Sequence, residues 1–110
     1  MAMIIKTLKS GNLVPAGTTA HAVPSGKSWL IKNIRLVNGL TSGPTAALNL
    51  YVKPSGGTAR RIHDRNFTIA TKGSLVLDDV VTLGQGDELQ IELASSSQDL
   101  SYMVNGIERE

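Results

Sequence analysis

Turn-forming residues recur so closely along this chain that few stretches could hold a helix. Gly, Pro, Asn and Ser gather at short intervals, for example at Pro24-Ser25-Gly26, Pro54-Ser55-Gly56-Gly57 and Gly84-Gln85-Gly86. An average helix needs about 11 residues, whereas short runs bounded by Gly and Pro are typical of strands in a sandwich or barrel. The spacing of the turns therefore predicts an all-β fold.

The runs between these turns alternate apolar and polar residues, as strands with one buried face do. Segments 48–53, 89–93 and 100–105 carry most of their apolar residues at every second position. The pattern continues at 75–77, and weaker strands are expected at 3–8, 18–23, 61–63 and 67–70. The total is about eight strands, which is enough for two packed sheets.

One long apolar run changes its parity halfway along. Trp29 and Ile31 share one parity, whereas Ile34 and Leu36 share the other. A β-bulge adds one residue to a strand and shifts the alternation by one position. We therefore predict a bulge near Lys32-Asn33 that places all four apolar side chains in the core.

Length and composition narrow the classes of function. The 110 residues are the size of one domain, and the absence of cysteine excludes disulfides and thiolate metal sites. No apolar run reaches the ~20 residues of a membrane helix, so we expect no membrane association. The net charge is only +2 and aromatic residues make up 4%, which disfavours nucleic-acid binding.

Residue types that carry catalysis are sparse. The two histidines, His21 and His63, belong to no motif of nucleophile, base and acid, and neighbours such as His63-Asp64 face opposite ways on a strand. Four carboxylates lie at predicted strand ends: Asp78, Asp79, Asp87 and Glu88. Turn chemistry accounts for them, with a calcium site as the alternative. We expect no enzymatic activity, no cofactor and no metal.

Two longer stretches carry recognisable patterns. In residues 23–38, V-P-S-G-K launches a hydrophobic strand that ends at Asn38, and in residues 83–91, Gly86-Asp87 opens another strand. Residues 102–108 then close with a hydrophobic strand that contains Gly106 and ends at Glu108. Together these patterns resemble a recurrent class of small bacteriophage virion β-sandwich proteins.

This resemblance implies an antiparallel, jelly-roll-like β-sandwich that works as a capsid decoration (cement) protein. The implied partners are the major capsid protein or other virion proteins, together with further copies of the chain as a trimer or dimer. The implied location is the virion, assembled in the host cytoplasm. A neck or tail accessory protein and a receptor- or carbohydrate-binding sandwich module are the alternative interpretations.

The sequence also suggests where such a protein makes contact. We expect residues 14–110 to form the sandwich, and residues 1–13 to be either its edge strand or an arm that adds a strand to a neighbouring subunit. Arg60, Arg61 and Arg65 form a basic group that can pair with an acidic protein surface, although a solvated loop would have the same composition. The candidate interface residues are Ile4, Ile5, Leu8, Arg60, Arg61 and Arg65.

Overall fold

Two antiparallel sheets make up the fold. The computed structural model describes residues 6–13, 17–39, 46–63, 67–70, 72–78, 80–94 and 100–109. Within these ranges the regular elements are ten strands. They are β1 (Lys6–Asn12), β2 (Thr18–Ala22), β3 (Ser28–Asn38), β4 (Ala46–Lys53), β5 (Arg60–Arg61), β6 (Phe67–Ile69), β7 (Ser74–Leu77), β8 (Val81–Leu83), β9 (Glu88–Leu93) and β10 (Leu100–Arg109).

The strand order is nested from the chain ends inward. The first sheet has the order β1-β10-β3-β7, and β8 also pairs with β3. The second sheet has the order β2-β9-β4-β5, and β6 also pairs with β4. The first strand thus pairs with the last and the second with the second to last, as in a jelly roll.

The strand count agrees with the sequence once the edges are considered. Strands β7 and β8 lie one after the other along β3, and β5 and β6 do the same along β4. Each pair is one interrupted edge strand, so the ten strands fill the positions of about eight. The predicted all-β, antiparallel sandwich is confirmed.

The core lies between the two sheets and is mainly aliphatic. The inward positions of the long strands supply fully buried side chains, among them Ile34, Leu48, Leu50, Leu89, Ile91, Leu93, Leu100 and Val104. Burying a side chain of this size stabilises the fold by about 1.5–3 kcal/mol. Trp29 retains only 2% of its exposure and heads the longest inward row.

The predicted bulge in β3 is present. Pairing of β3 with β10 runs from Asn33 opposite Asn105 to Ile31 opposite Gly106, so Lys32 is the extra residue. Trp29 and Ile31 before the bulge are buried, as are Ile34 and Leu36 after it. The bulge therefore resolves the change of parity in the sequence.

Gly106 allows the two central strands of the first sheet to approach closely at the bulge. A Cβ atom at this position would lie 2.1 Å from the carbonyl oxygen of Leu30 and 3.0 Å from the Cα of Ile31. Both atoms belong to the backbone and cannot swing aside. Glycine is therefore required by space at this position, as its place in the closing strand suggested.

Candidate interaction surfaces

The structure separates the candidate interface residues. Ile4, Ile5 and Arg65 lie outside the described residues. Leu8 is on β1, at the edge of the first sheet, whereas Arg60 and Arg61 form β5, at an edge of the second sheet. The described part of the two groups therefore belongs to different sheets and does not form one continuous site.

Strand β1 is an exposed edge strand of this domain. It pairs antiparallel with β10, and the register shifts between Thr7 and Lys9, which makes Leu8 a bulged residue. Leu8 is partly buried and packs against the core, whereas the other β1 residues are exposed. The side chain of Leu8 thus contributes to its own domain.

The two arginines of β5 differ in their surroundings. Arg60 is exposed, whereas Arg61 is partly buried. The Arg61 guanidinium donates one hydrogen bond to Asn49 Oδ1 and another, at 3.2 Å, to the hydroxyl oxygen of Tyr51. It also lies 5.0 Å from the centre of the Tyr51 ring, within the range of a cation–π interaction.

Glu92 completes this network, which we call the outer polar cluster (Asn49, Tyr51, Arg61 and Glu92). The Glu92 carboxylate accepts hydrogen bonds from Asn49 Nδ2 at 2.9 Å and from the Tyr51 hydroxyl at 3.3 Å. Asn49 is only 3% exposed although it is polar. Arg61 is therefore a structural residue of the second sheet, and Arg60 is the arginine of β5 that remains exposed.

The outer polar cluster was not predicted from the sequence. Its members come from β4, β5 and β9, and each occupies a position that the alternation assigns to the outer face. An outward polar residue is normal on a strand, so a single position carries no signal. Only the pairing of the three strands brings the four side chains together.

A second polar contact lies near the other edge of the second sheet, where His21 on β2 meets Tyr102 on β10. The His21 Nε2 atom is 2.5 Å from the Tyr102 hydroxyl oxygen, and the ring centres are 5.5 Å apart. Burial lowers the pKa of His21, and the charge of Lys9 lowers it further. Burial raises the pKa of Tyr102. Both shifts favour the neutral forms of His21 and Tyr102 in this hydrogen bond at neutral pH.

Asp87 has a role in turn structure. Its carboxylate accepts backbone N–H bonds from Ser55 and from Gly84, each at 2.9 Å. These two bonds hold the pKa of Asp87 below its usual value. The carboxylate thus ties together the turn before β9 and the turn after β4, as the turn interpretation of the sequence expected.

The other predicted carboxylates form no metal centre that the structure shows. Asp79 lies outside the described residues. Among the residues that are described, no three His, Asp or Glu side chains gather as they would around a metal ion. In the same ranges no helix has the length and apolar character to cross a membrane.

An apolar groove of about 440 Å³ opens at one end of the first sheet. Its lining includes Trp29, Leu30, Leu83, Ile107 and Arg109. Carbohydrate sites need an aromatic face that is open to the sugar, but Trp29 is buried and its indole N–H donates to Glu108 Oε2 at 2.9 Å. The groove therefore gives no support to a carbohydrate-binding function.

Comparisons with known proteins place the chain by its fold. No protein-family model matches the sequence, and no curated protein is significantly similar to it. The core domain of Drosophila NLP, studied for pentamer formation and histone binding, is a similar solved structure with a TM-score of 0.56 at 14% identity. The alignment covers 96% of this chain and all of that one. At this identity the similarity shows the fold alone.

Viral and phage capsid proteins are also among the similar solved structures. The infectious bursal disease virus Gx strain structure aligns with a TM-score of 0.44 at 14% identity, over 96% of this chain and 27% of that chain. A pentameric capsid protein from metagenomic phage sequences aligns with a TM-score of 0.38 at 22% identity, over 92% of this chain and 67% of that chain. Both TM-scores are below 0.5, so neither alignment supports an argument about function.

Proposed function

We propose that this chain is a structural virion protein that binds an assembled phage capsid and stabilises it as a decoration protein. The observation that carries the proposal is the resemblance of residues 23–38, 83–91 and 102–108 to small phage virion proteins. In the fold these residues form β3 and most of β9 and β10, together with the turns that precede β3 and β9. The resemblance thus extends to the centre of both sheets.

The chemistry of the surface supports binding over catalysis. Hydrogen bonds within the domain engage the side chains of His21, Tyr51, Asp87 and Glu92. A protein of this kind acts through the area it buries against its neighbours, and about 1,600 Å² is typical of a specific interface. Repeated attachment over a shell raises the effective affinity without new contacts.

The attachment has two candidate contact types. Arg60 is exposed on β5 and, with Arg65, supplies positive charge for an acidic patch on the shell. Residues 1–5 carry the apolar Ile4 and Ile5, which suit strand addition to a neighbouring subunit. Leu8 and Arg61 also make contacts within this domain, and their part in the interface stays a prediction.

Binding of this protein to the assembled shell would stabilise the shell by mass action. A protein that binds the assembled shell and not its dissociated subunits shifts the equilibrium toward the shell. The partners are then the major capsid protein and further copies of this chain, and the location is the virion. The Drosophila protein with this fold is described as a pentamer, so a sandwich of this kind is compatible with assembly into rings.

The test is to strip the protein from particles, add it back and measure the temperature at which the shells disrupt. We expect the wild-type chain to rebind and to raise that temperature. Three variants separate the contact types: deletion of residues 1–5, Arg60→Ala with Arg65→Ala, and the matched control Arg35→Ala. Arg35 is exposed on β3, so its loss removes one positive charge from the other sheet.

The outcomes of this experiment test the decoration function and the choice of contact residues separately. Binding that depends on Arg60 and Arg65 should weaken as salt is added, whereas strand addition by residues 1–5 should not. If the wild-type chain neither rebinds shells nor changes their disruption temperature, the decoration function is wrong. A chain that binds isolated necks or tails instead would support the accessory-protein alternative. If it rebinds but both test variants match Arg35→Ala, the contact residues are wrong and the function stands.

A further inference from the structure

Two of the edge strands of the sandwich, β1 and β2, differ in how they are protected against pairing. Natural sheets block their edges with bulges, charged side chains or prolines. Strand β1 has a bulge at Leu8 and carries Lys6 and Lys9. Strand β2, Thr-Thr-Ala-His-Ala, pairs with β9 without a register shift and contains no charged residue and no proline. The β2 edge is therefore open to a further strand.

The backbone groups at this edge follow from the antiparallel pattern. The N–H of Leu93 donates to the carbonyl of Gly17, and the N–H of Val23 donates to the carbonyl of Asp87. Hydrogen-bonded positions alternate along an antiparallel pair. Thr18, Ala20 and Ala22 therefore direct their N–H and C=O groups away from β9. Among the described strands, β9 alone pairs with β2.

We propose that this edge pairs antiparallel with β2 of a second copy, about a two-fold axis that passes through Ala20. The sequence of β2 can pair with a second copy of itself that runs in the opposite direction. In that register Ala20 lies opposite the partner's Ala20, and Thr18 lies opposite the partner's Ala22. These pairs form about six backbone hydrogen bonds. Each pair is small and uncharged, so no like charges are opposed across the junction.

The alternate side chains of β2 are also compatible with a second copy. Thr19 and His21 are partly buried, whereas the other residues of β2 are exposed. In the proposed register Thr19 stands opposite the partner's His21, at a position where side chains of neighbouring strands approach most closely. The pairing leaves the contact of His21 Nε2 with the Tyr102 hydroxyl within its own domain.

The area buried in this contact determines how strongly two copies associate. Five residues of edge strand bury less than the 1,200 Å² of a standard interface, so the isolated chain should associate weakly. On a particle the copies are held close together, and the same pairing becomes intramolecular in effect. The inference deepens the proposed oligomerisation, but its test needs only the purified protein.

The absence of natural cysteine allows a direct test by disulfide trapping. Hydrogen-bonded antiparallel neighbours have Cα atoms about 5.5 Å apart, which is within the range that a disulfide spans. Ala20→Cys should therefore form a covalent dimer under mild oxidation. Ser10→Cys, at an exposed position on β1, is the matched control and should form dimers at least tenfold more slowly.

The register can be tested separately with Thr18→Cys and Ala22→Cys. Mixed together, they should form a heterodimer much faster than either variant forms a homodimer. Ala20→Pro, which removes an N–H from the open edge and leaves the β2–β9 bonds intact, should abolish weak self-association in sedimentation velocity. Ser10→Pro is its control on β1, and circular dichroism establishes that both variants are folded.

Each outcome decides the inference. Trapping of Ala20→Cys at the rate of Ser10→Cys would overturn it, and so would self-association that survives in folded Ala20→Pro. Homodimers of Thr18→Cys that form as fast as the mixed pair would refute the two-fold register. None of these results bears on rebinding to shells, which remains the test of the decoration function.

Discussion

Substitution of Gly106 by Ala tests the close approach of β3 and β10. The new Cβ would lie 2.1 Å from the Leu30 carbonyl oxygen, whereas carbon and oxygen atoms in adjacent strands normally keep about 3.3–3.6 Å. The strands must therefore separate by about 1 Å. That displacement lengthens the neighbouring N–H···O bonds beyond their useful range of about 3.2 Å.

The expected cost combines strain with lost hydrogen bonds. Overpacking costs about 1–3 kcal/mol, and each lost backbone hydrogen bond adds about 1 kcal/mol. We expect Gly106→Ala to reduce the free energy of unfolding by about 3 kcal/mol or more. For a domain of this size that lowers the Tm by roughly 12 °C.

Urea and thermal unfolding, followed by the fluorescence of buried Trp29, measure this effect. Gly84→Ala is the matched control, because a Cβ there would meet only Asp87 Oδ2, at an ordinary 3.7 Å. The control should change stability by less than about 0.5 kcal/mol. If Gly106→Ala unfolds at the same urea concentration as Gly84→Ala, the account of the bulge and its glycine is wrong.

Three further predictions concern the polar contacts. Arg61→Ala removes a hydrogen-bond donor from buried Asn49 and should lower the free energy of unfolding by about 1–3 kcal/mol. The control Arg60→Ala should change it by less than about 0.5 kcal/mol. Equal Tm values for the two variants would contradict the role of Arg61 in the outer polar cluster. The lowered pKa of Asp87 adds stability that is present above its unfolded value of 3.8 and is lost as the pH falls through the folded value, so Asp87→Asn should flatten the acid limb of a Tm-versus-pH curve. The pKa of His21 is also lowered, so the free energy of unfolding has its full value above pH 6.5 and decreases as the pH drops toward the folded pKa. Urea titrations at several pH values should show this decrease in the wild-type chain and not in His21→Gln.

The sequence predicted the long strands and the bulge because both depend on local alternation. Four buried apolar residues with two parities require an extra residue between them, and Lys32 supplies it. Strand β8 was missed because Val81–Leu83 is only three residues long and is recognisable mainly by its pairing with β3. Short edge strands carry too little alternation to be identified alone.

Side-chain partners were beyond the reach of the sequence where they depend on strand pairing. Arg61 was grouped with Arg60 as part of a basic surface, but pairing of β5 with β4 places it beside Tyr51 and buries part of it. The role of Asp87 was predicted, because an aspartate that follows Gly84-Gln85-Gly86 bonds to the backbone of its own turn. Local chemistry was therefore predictable, and contacts between distant strands were not.

The nested strand order has a consequence for how the chain folds during synthesis. Strand β10 is central in the first sheet, because β1 and β3 pair with its two sides. On the ribosome β1 and β3 emerge long before β10, so the first sheet cannot close until the last strand has left the exit tunnel. Such pairing between distant segments makes folding slow, because long loops must close before any contact compensates for them. A chain that ends before β10 lacks the centre of the first sheet, so it cannot form the sandwich.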